Sequence, residues 1–172
     1  VAKQDASAAA KILNIAARQD EDLGARLLVE ASKDDAVAAA SIVVEAGKDD
    51  QDLTGNLVLI AGRSDPESTA NMIAEAARRD PVVTGRIIAN AAAKDVNTTG
   101  NILADSAERD PGSTGRALAS SARENSSATG DIVCVAIGRS AGAIGSALGS
   151  SAEADPASTG NALVGPAQNR GC

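Results

Sequence analysis

Apolar and polar positions follow one another along this chain in a phrase that returns at every fifteenth position. The stretch from Asp80 to Arg116 shows it plainly: Thr-Gly, a polar residue, two aliphatics, small residues, a basic residue, then Asp. We number each copy from the Thr. Positions 4 and 5 carry the aliphatic pair, as in Leu27 and Leu28, Ile87 and Ile88, or Ile102 and Leu103. Positions 8 and 9 are Ala or Ser, and positions 3, 7 and 10 are polar, as in Asn71, Glu75 and Arg78, with Ala93 a lapse. Wound at 3.6 residues per turn, positions 1, 2, 4, 5, 8 and 9 fall on one broad face and 3, 7 and 10 fall opposite. This periodicity predicts an amphipathic helix in every copy. Pairs three or four apart on the polar face, such as Arg26 with Glu30 and Glu75 with Arg78, support it.

The beat is regular. Thr54, Thr69, Thr84, Thr99, Thr114, Thr129 and Thr159 all fall on it, with Ile144 standing where the row skips a Thr. Counting backwards reaches Ala39, Gly24 and Ala9. Residues 9–158 are then ten full copies, residues 1–8 the tail of another, and residues 159–172 most of a last one. We expect a single continuous repeat array over 1–172, with no linker or second domain.

Position 12 is Asp at Asp20, Asp35, Asp50, Asp65, Asp80, Asp95, Asp110 and Asp155, and Pro follows at Pro66, Pro81, Pro111 and Pro156. Asp-Pro is either an N-cap with the first helical residue, or the opening of a turn. For the early copies the helix is expected to start at Asp35 and its equivalents. For the later ones, D-P-G-S is expected to form a four-residue turn, with Ser113 or Thr114 capping the next helix. Each copy is thus one helix of about 10–13 residues, too short to persist alone. Short connections make neighbours antiparallel. The fold class expected is all-α: an α-solenoid of 15-residue single-helix repeats stacked as antiparallel helix pairs. A β-solenoid with one copy of the repeat per coil is the alternative. Adjacent aliphatics and helix-forming Ala, Glu, Arg and Leu rank it second.

Gly recurs at position 2, at Gly55, Gly85, Gly100, Gly115, Gly130, Gly145 and Gly160. Each costs about 1 kcal/mol of helix propensity relative to Ala. Close approach of neighbouring helices is the simple reason to keep it. Such helices draw stability from neighbours on both sides, so the ends of the array matter. The first copies are among the most aliphatic, and Pro166 should break the last helix near Leu163. Incompletely capped ends are expected to meet another copy of the chain, a partner, or more of a longer chain.

Composition narrows the function. There is no Phe, Tyr, Trp or His, so the core must be built from small and aliphatic residues. The commonest general base and metal ligand is missing, as are stacking platforms. A net charge of −7 argues against nucleic acid and against anionic membrane surfaces. No apolar run of bilayer-spanning length is evident, so no membrane insertion is expected. Cys134, inside V-C-V, reads as a small buried hydrophobe, and Cys172 as an exposed thiol able to pair between chains.

Candidate chemistry is sparse. The Thr row could order water and bind ice, or could face inward with its hydroxyls on carbonyls, which is the favoured reading. The acidic clusters Asp20–Asp22 and Asp49–Asp52 could gather calcium, but no Gly-centred loop accompanies them, and caps explain them more simply. Ser120–Ala122 and Ser150–Ala152 have no base beside them, and glycines between Gly138 and Gly149 read as packing. We expect no catalytic, cofactor or metal residues and no enzyme. The function expected is that of a structural repeat protein, a self-associating subunit or segment of a fibre, surface layer or scaffold outside the cell or at its surface. A binding solenoid using one repetitive face, for ice or another ligand, is the alternative.

Overall fold

A computed structural model describes residues 2–169, with side chains from 5 to 164. In chain order the helices are α1 (Ala2–Gln19), α2 (Glu21–Asp34), α3 (Ala36–Asp49), α4 (Gln51–Ser64), α5 (Pro66–Arg79), α6 (Pro81–Lys94), α7 (Val96–Arg109), α8 (Pro111–Glu124), α9 (Ser126–Ala154) and α10 (Pro156–Asn169). No strand occurs among the described residues, which removes the β-solenoid alternative. The fold is an all-α helical repeat solenoid.

One residue joins each helix to the next, and Asp50 shows how. Its N–H donates to Ala46 O at 2.9 Å and closes α3. Its carboxylate accepts from the Leu53 N–H at 3.1 Å and opens α4. Its carbonyl accepts from the Thr54 N–H at 3.1 Å and from the Thr54 hydroxyl at 2.7 Å. The backbone there is extended, with φ −152° and ψ 93°. Orphan groups at two helix ends are satisfied by a single side chain and its peptide.

This corrects the expected turn in the later copies. Asp110 is the N-cap of α8, its carboxylate accepts from the Ser113 N–H at 2.9 Å, and helix begins directly at Pro111. Proline lacks the N–H that the first helical residue could not have bonded anyway, so D-P-G-S starts the helix rather than delaying it. The repeating helices are accordingly 14 residues long, not the shorter ones expected. At the other end α10 continues to Asn169. Pro166 does not end it, so the break expected near Leu163 does not occur.

The helix α9 is two units run together. Ser140 stands where Asp is expected and keeps a non-helical φ of −147° and ψ of 76°, which kinks the element between its halves. With 29 residues and a stretch of mean hydropathy 1.5, α9 is long and apolar enough to cross a membrane. That corrects the reading that no such run exists, although the kink divides it and it packs against α7, α8 and α10.

Alternate helices pack most extensively. Their contacts recur at separations of about two copies: Gly55 meets Asn90 and Ala91, and Gly100 meets Ile132 and Val135. A nearly constant separation means alternate helices run side by side in the same sense. With single-residue joints, the helix between them must run back. Two copies therefore make one layer, and layers stack. A third contact links helices three apart: the position-9 glycines Gly47 and Gly62 receive Ile87 and Ile102 from position 4.

Being wrapped by three sets of neighbours, interior helices bury more than one stripe. Position 6 is buried as well, at Leu59, Ala74, Ala89, Ala104 and Ala119, and positions 3 and 7 are half-buried at Asn56, Ile60, Asn71 and Glu75. The core runs continuously through Leu28, Val43, Leu57, Ile73, Ile87, Leu103, Leu118 and Ile132.

Glycine separates interior from end. A Cβ on Gly85 would lie 2.5 Å from Ser120 Cβ and against the Ala117 carbonyl, and one on Gly115 would meet the Ala147 carbonyl. Around Gly145 and Gly160 no atom of the described residues lies within 4 Å of where a Cβ would go. Gly115→Ala should therefore destabilise the protein by about 1–3 kcal/mol through overpacking. Gly160→Ala should stabilise it by up to about 1 kcal/mol through helix propensity. Paired thermal unfolding curves measure both, and equal shifts of the same sign would contradict the packing described.

Candidate functional site: a charge ladder and two unlike end faces

The Thr row faces inward. Thr54, Thr84 and Thr129 are fully buried, and Thr69, Thr99, Thr114 and Thr159 nearly so. The hydroxyls of Thr54, Thr69, Thr99 and Thr159 donate to the carbonyl of the Asp four residues earlier. Thr129 bonds Ser121 at 2.8 Å, while the hydroxyls of Thr84 and Thr114 have no partner among the described residues. Ser151 bonds Thr159 in the same way as Ser121 bonds Thr129, so these serines are structural. The row offers no surface to ice.

The acidic clusters resolve into caps and ion pairs. Asp20 and Asp50 cap α2 and α4. Asp52 takes the Lys94 ammonium at 2.6 Å. No group of three His, Cys, Asp or Glu able to hold a metal occurs among the described residues. Cys134 is disulfide-bonded and half-buried, not the apolar thiol expected. The other cysteine of the sequence, Cys172, lies outside the described residues. Among the described residues, Gly138, Gly142, Gly145 and Gly149 have no neighbour within 4 Å of where a Cβ would go, so close packing between those residues does not account for them.

A charge ladder runs up the stack that reading one copy at a time does not reveal. The basic residue at position 10 reaches the joint Asp just over two copies later in the chain. Arg63 meets Asp95 at 2.7 Å, Arg78 meets Asp110 at 3.1 Å, and Arg18 and Lys33 meet Asp50 and Asp65 at 3.4 and 3.5 Å. Arg123 pairs with Asp155. Lys48 is held instead by Glu45 at 2.7 Å. Where position 10 loses its positive charge, the partner joint loses its Asp: Ala93 corresponds to Asn125, and Glu108 to Ser140. At that break Arg139 turns to Asp105 with bonds of 2.6 and 2.9 Å, acid and base having exchanged helices. The correlated losses at 93 with 125 and at 108 with 140 were a signal visible in the sequence.

The ladder and the caps act on the same carboxylates. Asp95 is held at about 2, below its usual 3.8, first by the Thr98 N–H and then by the Arg63 guanidinium. Asp65 is lowered chiefly by the Ser68 N–H, with Lys33 adding to it. Burial pushes Asp110 up, but Ser113 and Arg78 together outweigh it. Asp155 is lowered first by Arg123 and then by Ser158. A joint carboxylate thus takes an orphan N–H from its own helix and a cation from two copies earlier.

The two ends differ in kind. Position 4 is fully buried at Leu57, Met72, Ile87 and Ile132, yet Ile12 is 66% and Leu27 48% exposed. Ile12, Leu27 and Ile42 line a shared groove of about 170 Å³ with Ala9 and Ala31. A second groove of about 490 Å³ adjoins it, between Asp5, Asp35, Val37 and Arg79. At the other end position 4 is buried, at Ala147 and Ala162, and different positions open instead. Gly145 and Gly160 at position 2, Ala152 at position 9, and Leu163 and Val164 at positions 5 and 6 are exposed. No family, curated protein or solved structure matches this chain.

The ladder makes two expectations. Asp95 lies lower folded than unfolded, so its stabilisation is complete above about pH 4 and is lost as the pH falls from there toward 2. Asp95→Asn keeps a capping oxygen and loses the charge. It should lower the denaturant midpoint at pH 7 and converge with the parent near pH 2, and a constant difference at both values would refute this account. Rebuilding the missing rung with Ala93→Arg and Asn125→Asp together should show a favourable coupling of about 0.2–1 kcal/mol in a double-mutant cycle.

Proposed function

We propose that this chain is a non-enzymatic structural repeat protein that self-associates as a subunit or segment of a fibre, surface layer or scaffold, placed outside the cell or at its surface. What carries the reading is the exposure of Ile12 and Leu27 in positions that interior copies bury completely at Leu57 and Ile87. Burying one such side chain is worth roughly 1.5–3 kcal/mol, so leaving several on one face favours covering it. The repetition supports the reading as well: each helix is stabilised by its neighbours, and the same packing can continue from one chain into another. Self-association is thus the role in which the repeat is used for what it repeats. A ligand-binding solenoid is not favoured by any particular observation, since the Thr row that suggested one is buried.

The test is the size of the purified protein against concentration, by sedimentation velocity with negative-stain microscopy of the most concentrated samples. Particles that lengthen with concentration are expected. A single species with the mass of one 17.0 kDa chain at every concentration would overturn the reading.

A further inference from the structure

We propose that the two end faces are the two halves of one interface, so that the N-terminal face of one copy docks on the C-terminal face of the next. This rests on the self-associating reading and specifies its polarity. Every interior copy has an upstream and a downstream side. Upstream it presents position 4, and also position 15: Leu23 is 45% exposed near the start, while Leu53 and Val83 are buried. Downstream it presents positions 2, 5, 6 and 9, which are buried in the interior at Gly85, Ile88, Ala89 and Ala92 and exposed at Gly160, Leu163, Val164 and Ala152.

Inside the array these sides mate by size. A position-4 side chain enters the space over a small position-9 residue three helices earlier, as Ile87 does at Gly47, where an added Cβ would come within 2.5 Å of it. A position-2 glycine lets the backbone two helices on come into contact, as Gly55 lets Ala91. One end face therefore keeps the position-4 projections of this interface, at Ile12, Leu27 and Ile42, and the other keeps position-2 and position-9 recesses at Gly145, Gly160 and Ala152, set beside the exposed Ile137, Leu163 and Val164. Projections against projections leave the recesses empty, so like faces do not suit each other. The occupant that fits each face is the opposite face of a second copy. An interface made from two different surfaces repeats without closing unless its rotation forms a ring.

Two variants block one face each without disturbing the interior. Leu27→Glu places a charge on an exposed projection. Gly145→Gln with Gly160→Gln fills recesses where no atom of the described residues lies within 4 Å, and replaces glycine by a better helix former. Circular dichroism checks that both keep the parental helix content. In sedimentation velocity at physiological ionic strength, the parent's weight-average mass should rise with concentration past that of a dimer. Each variant alone should need at least roughly tenfold more protein to associate, since a charge or a filled recess at a dry contact costs more than about 1.4 kcal/mol. An equimolar mixture of the two should regain association and stop at a dimer, because each retains the face the other lacks. No association by the parent would overturn the structural reading and this polarity together. A parent that associates while the mixture fails to recover, or stops at a dimer by itself, would overturn the polarity alone. So would glycine variants that polymerise freely.

Discussion

The single-residue joint is the constraint on which the rest of the structure depends. With one extended residue between helices there is no slack in the connection. Every helix must end where the next can begin, which holds the repeating helices at 14 residues. Asp meets the demand because it supplies three things at one site. Its N–H completes the finished helix, its carboxylate takes an N–H of the new one, and its carbonyl accepts the first ordinary helical bond. Asn125 does the same work with an amide oxygen, accepting from the Ala128 N–H at 3.1 Å. Ser140, with a shorter side chain, keeps the bend without an Asp or Asn cap.

The joint also explains why the core can consist of small residues. Constant helix length keeps alternate helices in one register along the stack, so a recess at position 2 or 9 always faces the same opposing element. Glycine at Gly55 or Gly100 then gives up helix propensity in exchange for contact with a neighbour's backbone. Without aromatic side chains to span a gap, a shift of register would leave voids that Ala and Val cannot fill. The charge ladder adds specificity more than energy. Its exposed pairs are individually weak, yet each requires its partner at one particular joint in the next layer and so penalises a slipped layer.

Much of this was legible in the sequence, and the failures have local causes. Period, helix class and the inward Thr row follow from spacing and the adjacent aliphatic pair. The turn expected at Asp110–Ser113 does not form, because a cap and a proline at the helix start outweigh the intrinsic preferences of the residues that follow. Gly112 and Ser113 are poor helix formers, but the Asp110 cap and Pro111 start a helix over them. A single amphipathic stripe assumes one neighbour and leaves position 6 off the buried face, while an interior helix here has several neighbours. The ladder is hidden in the sequence for a different reason. It joins copies rather than positions within a copy, and only the paired departures at Ala93 with Asn125 and Glu108 with Ser140 betray it.

Those departures gather toward one end, and they change what that end can do. From Asn125 onward the joint loses its carboxylate twice, α9 merges two units, and Gly138, Gly142, Gly145 and Gly149 stand in open space. A helix with few covered glycines and no carboxylate at its N-cap or at its internal joint gains little from its own sequence. It gains more from a neighbour laid against it, because the recesses are already shaped by the rule that packs the interior. The opposite end carries its aliphatic side chains outward and can supply that neighbour. A stack whose two ends differ in this way has a direction. The feature that makes single copies dependent on one another inside the chain is the same one that would make chains depend on one another.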